Sequence, residues 1–239
     1  MQSDSPALAP LGLVFLLAFT NLAAAAYLAW RHWWFFRNPP RHAPAESGLV
    51  SPADGVVVYA REVAPHEDVV VIKQGLAARV ADIVREDVAE PKYVIGVFMS
   101  PLDVHYNRAP LDAEIADIRR HPGHGPNRHM GPMHWRVLLR RPPYHAGSVH
   151  IVQNERTVTR FVGRYRETPL SFYVVQIGAK TVRGIDSFVA AGERVTRSET
   201  FGMIRIGSQV DLVVARQPGM KLCVTPGQRV RAGETILVQ

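Results

Sequence analysis

Two apolar, strand-like runs at residues 201–206 and 209–214 are interrupted by one Gly-Ser pair, Gly207-Ser208. Glycine inside a strand marks a bulge or a close approach of backbone. A Gly-Ser bond can also react. A serine hydroxyl that reaches the carbonyl before it converts the amide to an ester, and β-elimination then releases the upstream chain. The dehydroalanine left behind tautomerises and hydrolyses to a pyruvoyl group, and Gly207 offers that attack the least steric resistance. The dipeptide alone is not diagnostic, because Gly147-Ser148 repeats it and a plain bulge accounts for such a pair. The other reactive types say less. Cys223, the one cysteine, excludes an internal disulfide and a thiolate metal cluster, and in its apolar run it reads as a buried structural thiol. His121, His124, His129 and His134 have spacings that match no helical or hairpin ligand set, so we expect a solvated loop and no metal.

The company Gly207-Ser208 keeps is more specific. Phe36-Arg-Asn-Pro39, Ser51-Pro-Ala-Asp-Gly55, Phe98-Met-Ser-Pro-Leu-Asp-Val-His105-Tyr-Asn-Arg-Ala-Pro110, Asn154-Glu-Arg156 and Phe201-Gly-Met-Ile-Arg-Ile-Gly-Ser208 follow one another in the order of the signatures of phosphatidylserine decarboxylase proenzymes. From about residue 35 onward the chain resembles the short, membrane-associated branch of that family. The resemblance implies self-cleavage between Gly207 and Ser208 into chains 1–207 and 208–239, held together as an α/β heterodimer whose further dimerisation is open. It implies a covalent pyruvoyl cofactor made from Ser208, phosphatidylserine as substrate and phosphatidylethanolamine as product. It also implies that Asp54 and His105 assist the serine, with a hairpin turn at Asp54-Gly55 as the structural alternative for the aspartate. Arg108 stands where long-chain members have a second histidine, which leaves His105 to serve both reactions or one role to another residue. Arg108 and Arg205 are candidates for the lipid phosphate, with a structural ion pair as the alternative for each.

These residues need elements to position them. No charge occurs from Ala7 to Trp30, a stretch long enough for a bilayer core of roughly 20 residues. It is followed by Trp30-Arg-His-Trp-Trp-Phe-Phe-Arg37, an aromatic and basic belt of headgroup depth. Residues 1–37 read as a membrane anchor, 38–48 as a linker opened by Pro39 and Pro40, which end any helix, and 49–239 as the catalytic domain. Strands are expected at 48–59 (a hairpin turning at Asp54-Gly55), 69–73, 94–99, 148–152, 157–162 and 170–177, and a helix at 76–88. Residues 190–201 and 225–236 echo each other, each with a Gly turn, a valine and a Glu-Thr-apolar exit. The fold expected is mainly β (α+β): antiparallel sheets with a biotinyl/lipoyl-like flattened sandwich in the C-terminal part, behind an N-terminal hydrophobic helix.

A formal charge of +7, carried mostly by arginine, suits an anionic membrane surface, and the apolar segment favours that partner over nucleic acid. Arg31, Arg37 and Arg41 place the catalytic domain on the cytoplasmic face of the cell membrane. Two other readings stay open. One is a membrane-anchored biotinyl/lipoyl-like binding or adaptor protein without catalysis, although Gly219-Met-Lys221-Leu is a poor tip for a prosthetic group. The other is a pyruvoyl decarboxylase acting on a soluble amino acid.

Overall fold

The computed structural model describes residues 8–86, 90–180, 184–205 and 208–239. It divides into two compact units, Met1–Asn38 and Pro39–Gln239. In the first, helix α1 (Leu8–Ala29) runs into a π-helical turn, Trp30–Phe35. The polar side chains inside the apolar stretch are satisfied by the helix itself: the Thr20 hydroxyl donates to the carbonyls of Leu16 and Leu17, and the Asn21 amide to that of Leu17. Gly12–Phe35 is long and apolar enough to cross a membrane. The Arg37 guanidinium stacks on the Trp34 ring at 4.2 Å, the pairing expected of an interfacial belt.

The second unit carries strands β1 (Leu49–Val50), β2 (Gly55–Val63), β3 (Asp68–Lys73), β4 (Leu76–Arg79), β5 (Lys92–Met99), β6 (Tyr106–Arg108) and β7 (Ala113–His121). After helices described below come β8 (Arg156–Tyr165), β9 (Thr168–Gly178), β10 (Ile185–Ser187), β11 (Arg194–Val195), β12 (Thr200–Ile204), β13 (Ser208–Ala215), β14 (Arg229–Val230) and β15 (Ile236–Val238). Short helices α2 (Val80–Val84), α3 (Gly131–Leu138) and α4 (His150–Gln153) lie between them. The main sheet has eight antiparallel strands in the order β11-β7-β8-β9-β13-β5-β2-β14, with β10-β12-β6, β1-β15 and β3-β4 as smaller sheets. This is the mainly β, antiparallel α+β architecture expected.

The sheet curls, because segments from its two ends meet: the Ser198 hydroxyl, beyond β11, donates to the carbonyl of Gly233, beyond β14. Those two ends are the two echoes. β14 pairs with β2 through Arg229↔Val56 and Val230↔Gly55, and β11 pairs with β7 through Arg194↔Glu114 and Val195↔Ala113. The repeat extends to their partners. Val57 exchanges backbone hydrogen bonds with Gly227 and Gln228 as Ile115 does with Gly192 and Glu193. Asp54 accepts from the Ala232 amide at 2.7 Å as Asp112 accepts from that of Arg197 at 2.6 Å.

Four local expectations are corrected. Leu49 and Val50 pair with β15, so Asp54-Gly55 turns no hairpin. Residues 76–79 form a strand on β3 and only Val80–Val84 is helical, because cross-strand pairing overrides the Ala/Leu helix preference. Residues 148–152 lie in a turn and α4, begun by Gly147 at φ 75°. Cys223 is exposed and its segment has only an isolated bridge, Leu222↔Val238.

The sheet separates two hydrophobic cores, and β13 alternates between them. Val210, Leu212 and Val214 enter one core and Val213 the other. Gln209 and Asp211 share the side of Val213, where they form a buried polar network. The Gln209 amide nitrogen donates to the Tyr59 hydroxyl and to Asp211, each at 2.7 Å, and Tyr59 donates to Asp211 at 2.8 Å. The Gln209 oxygen is left to accept from His150 Nε2 at 3.0 Å, so that nitrogen carries the proton of a neutral imidazole. Arg156, almost fully buried, donates to the carbonyls of Asp82 and Ile83 and so caps the C-terminal end of α2.

Burial lowers the His150 pKa to about 4, against the opposing bond to Gln209, and raises that of Asp211 to about 6, against the bonds from Gln209 and Tyr59. The two groups act in opposite directions on acidification. Between pH 6.5 and about 4 the unfolded chain protonates His150 and the native one does not, so stability falls; between about pH 6 and 4 the native chain protonates Asp211 first, so stability rises. His150→Gln keeps a donor to Gln209 and removes only the first effect. Between pH 7 and pH 5 the variant should gain about 2 kcal/mol relative to wild type, a melting shift of roughly 4–8 °C. Parallel pH profiles of thermal melting would show that His150 is not held neutral.

Candidate functional site

Ser208 opens β13 and is fully buried, paired with Gly178 of β9 on one side and Met99 of β5 on the other. Its hydroxyl lies 3.3 Å from the Met99 sulfur. Gly207, the other half of the expected cleavage site, lies outside the described residues. Ser208 shares the strand face of Val210 and Leu212, and that face is lined at this end by buried amides. Asn107 reaches the Met99 sulfur at 3.9 Å and the Pro52 carbonyl at 3.3 Å, and Gln176 donates to the Asn107 oxygen at 2.8 Å. Sequence reading missed Asn107 and Gln176 as site residues. The signal for Gln176 was present, a lone amide in the otherwise apolar alternation of Leu170, Phe172 and Val174.

His105 is fully buried on the connection between β5 and β6. Its Nδ1 is 2.9 Å from the Asp103 carbonyl, which can only accept, so the ring carries that proton on Nδ1 and a neutral His105 has its lone pair on Nε2. The His105 carbonyl accepts from Ile204 at 3.2 Å. The histidine is therefore fixed to the last residue of β12, the strand that leads towards Ser208.

Asp54 lies at the same end of the sheet, two strands from Ser208 in the order β13-β5-β2. Gly55 makes this approach possible: at φ 155° a Cβ there would stand 2.1 Å from the Phe98 carbonyl oxygen. The Asp54 carboxylate is held by Arg41 at 2.8 Å and by the Ala232 amide, and Arg41 also binds Glu234 at 2.9 Å. Burial raises the Asp54 pKa, with the Ala232 amide and Arg41 opposing the rise. Asp54 and His105 are not linked as in a hydrolase triad, since a carbonyl takes the Nδ1 position that a carboxylate would occupy. The equivalence with Asp112 gives Asp54 a structural duty, that of holding the loop after β14.

The remaining signature residues position this end of the sheet. Asn154 donates to the carbonyl of Gly178, the partner of Ser208, at 2.7 Å. Arg108 donates to the carbonyls of Ser198 at 2.8 Å and Pro39 at 3.0 Å, and Arg205 pairs with Asp186 at 2.7 Å. Both candidate phosphate ligands thus carry structural contacts. The histidines of the insert are dispersed: His121 ends β7, His124 meets Arg85, and His134 lies on α3 with its ring 5.9 Å from that of Phe98.

The family model for phosphatidylserine decarboxylase matches residues 28–238. A proenzyme of Methanopyrus kandleri, provisionally named an archaetidylserine decarboxylase, is 35% identical over 93% of this chain and 86% of its own length. Proteins named phosphatidylserine decarboxylase proenzyme from Xanthobacter autotrophicus and Mycobacterium avium are 32% and 30% identical, over 95% and 100% of this chain and 81% and 89% of theirs. The match covers β13 with Ser208, the His105 segment and the Asp54 segment alike, and the chain belongs to the phosphatidylserine decarboxylase family.

Proposed function

We propose that the chain is a proenzyme that breaks its own Gly207–Ser208 bond and then decarboxylates phosphatidylserine to phosphatidylethanolamine, as a step of phospholipid biosynthesis at the cytoplasmic face of the cell membrane. The observation that carries this reading is the placement of Ser208, a buried hydroxyl on the first residue of a strand clamped on both sides, in a chain of this family. The clamp limits where the hydroxyl can go. Its nearest electrophile along the chain is the Gly207 carbonyl, and His105 Nε2 is the base we assign to take its proton. The ester then opens by elimination at the Ser208 Cα–H. Gly207 leaves as a carboxylate, and water replaces the Ser208 nitrogen, which departs as ammonia.

The surroundings of Ser208 fit the small ketone that results. Ser208 is closed to solvent, and beside it the Asn107 amide, held by Gln176, reaches the Met99 sulfur. The pyruvoyl group supplies an electrophilic carbonyl that takes up the substrate amine and accepts the electron pair left when carbon dioxide departs. His105 delivers a proton to the former α-carbon. The names of the relatives share the seryl moiety and differ in the lipid, which agrees with a site organised around the headgroup.

Both products should stay together. Residues 208–239 keep β13 between β5 and β9, β14 on β2 and β15 on β1. The substrate and anionic membrane are then the partners, and the two cleavage products form one heterodimer.

Ser208→Ala should leave a single uncut chain with no turnover, and His105→Ala should lose at least about a hundredfold in cleavage or decarboxylation. Intact-mass analysis and a decarboxylation assay read both; a cut, active Ser208→Ala protein would overturn the mechanism. Asp112 provides a control for Asp54, because it makes the same turn contact away from the site. Asp54→Asn should slow cleavage by roughly tenfold or more while Asp112→Asn leaves it unchanged. Equal effects of the two would reduce Asp54 to a structural residue.

A further inference from the structure

Helix α3 shows two faces. Met133 is buried and Val137 rests on the second core, while Trp135 is 60% exposed and Leu138 61%, with Leu139 beyond the helix at 53%. An isolated exposed leucine is ordinary, but a tryptophan and two leucines together on eleven residues are not. Leu102, 63% exposed, lines a cleft of about 840 Å³ together with Val137, Leu138 and Arg140. The lining also includes Phe98 and Ser100, the two residues that flank Met99, the neighbour of Ser208.

The charge of the segment that carries α3 has one sign, and Asp103, next to Leu102, is buried and paired with Arg229, which also lines the cleft. No Asp or Glu occurs between Asp117 and Glu155, a stretch that contains Arg119, Arg120, Arg128, Arg136, Arg140 and Arg141. Among the described residues no carboxylate lies within ion-pair distance of Arg136, Arg140 or Arg141, whereas Arg41, Arg61, Arg79, Arg119, Arg205 and Arg216 all have one.

We propose that α3, the Leu139-Arg140-Arg141 turn and Leu102 form a docking surface for an anionic phospholipid bilayer. Tryptophan and leucine enter the boundary between headgroups and acyl chains, and arginines beside them reach lipid phosphates, which their planar fork of donors fits. Charge complementarity selects the bilayer over a second copy of the chain. A two-fold contact through this patch would set Arg136, Arg140 and Arg141 of both copies against one another with no carboxylate between them. Docking there would bring the end of β5 carrying Met99 to the membrane surface, next to the source of the lipid that the proposed activity requires. That consequence rests on the decarboxylase reading; the docking does not.

The test uses the full chain in vesicles of phosphatidylcholine and phosphatidylglycerol. With Trp30, Trp33 and Trp34 replaced by Phe, Trp135 is the one tryptophan left of the four. Its emission should shift to shorter wavelength and be quenched by lipids brominated near the top of the acyl chain. Water-like, unquenched emission would overturn the proposal, and so would a cross-linked dimer through Trp135. In an otherwise wild-type chain, Trp135→Ser with Leu138→Ser should lower turnover of phosphatidylserine in vesicles by roughly tenfold. Self-cleavage and turnover of monomeric short-chain phosphatidylserine should stay as in wild type. Equal loss on both substrates would count against docking, while a wild-type protein inactive on both would overturn the decarboxylase reading and leave the quenching result to decide docking alone.

Discussion

Strand β13 is the constraint from which the site follows. It is paired along its length with β5 and for seven residues with β9, so its first residue is held from both sides before any side chain is considered. A strand so enclosed cannot slip by one residue without sending Gln209 and Asp211 into one core and Val210 and Leu212 into the other. The network of Gln209, Asp211, Tyr59 and His150 makes that slip costlier still, because each of these groups is buried and would lose its partner. Register, and hence the direction of the Ser208 hydroxyl, is fixed by polar groups on the face opposite to the one that hydroxyl occupies.

The second organising feature is the internal repeat. Asp54 and Asp112, and Ala232 and Arg197, occupy matching positions in two halves of one curled sheet. What distinguishes the halves is what surrounds each aspartate. The first half adds Arg41 and Glu234 to its aspartate, and a glycine that brings it against Phe98. The second has Ala113 at the position of Gly55 and its aspartate holds only a loop. A duplicated scaffold with one modified copy explains why Asp54 reads as a turn residue and as a site residue at once: the turn duty is the shared one.

Much of this was legible in the residues. β3, β5, β8 and β9 follow their alternating or apolar runs, and the echo of 190–201 in 225–236 does mark equivalent elements. The partners of those echoes, Ser51-Pro-Ala-Asp-Gly55 and Ala109-Pro-Leu-Asp-Ala113, form a repeat that was open to the same comparison and went unread. Other features were not legible because they depend on distant pairing. Nothing local tells Leu49 and Val50 to join the last strand of the chain, or Leu76 to Arg79 to lie on β3. The burial of His105 is hidden for a related reason: Pro101, Asp103 and Asn107 give it a polar neighbourhood in sequence, while the partner of its carbonyl, Ile204 of β12, is distant in the chain.

The topology also bears on what a break at Gly207–Ser208 would do. β12 and β13 are consecutive strands in different sheets, β12 between β10 and β6 and β13 between β9 and β5, joined only by Arg205, Ile206 and Gly207. Cutting at Ser208 would remove at most the one ladder bond donated by its nitrogen, since every other pairing of both strands lies within sheets that remain whole. The connection would lose its covalent tether while each strand kept its neighbours. A cut there would therefore leave the new end of β13 where the strand already is, since β5 and β9 hold Ser208 from both sides and give it no freedom to follow the released chain end.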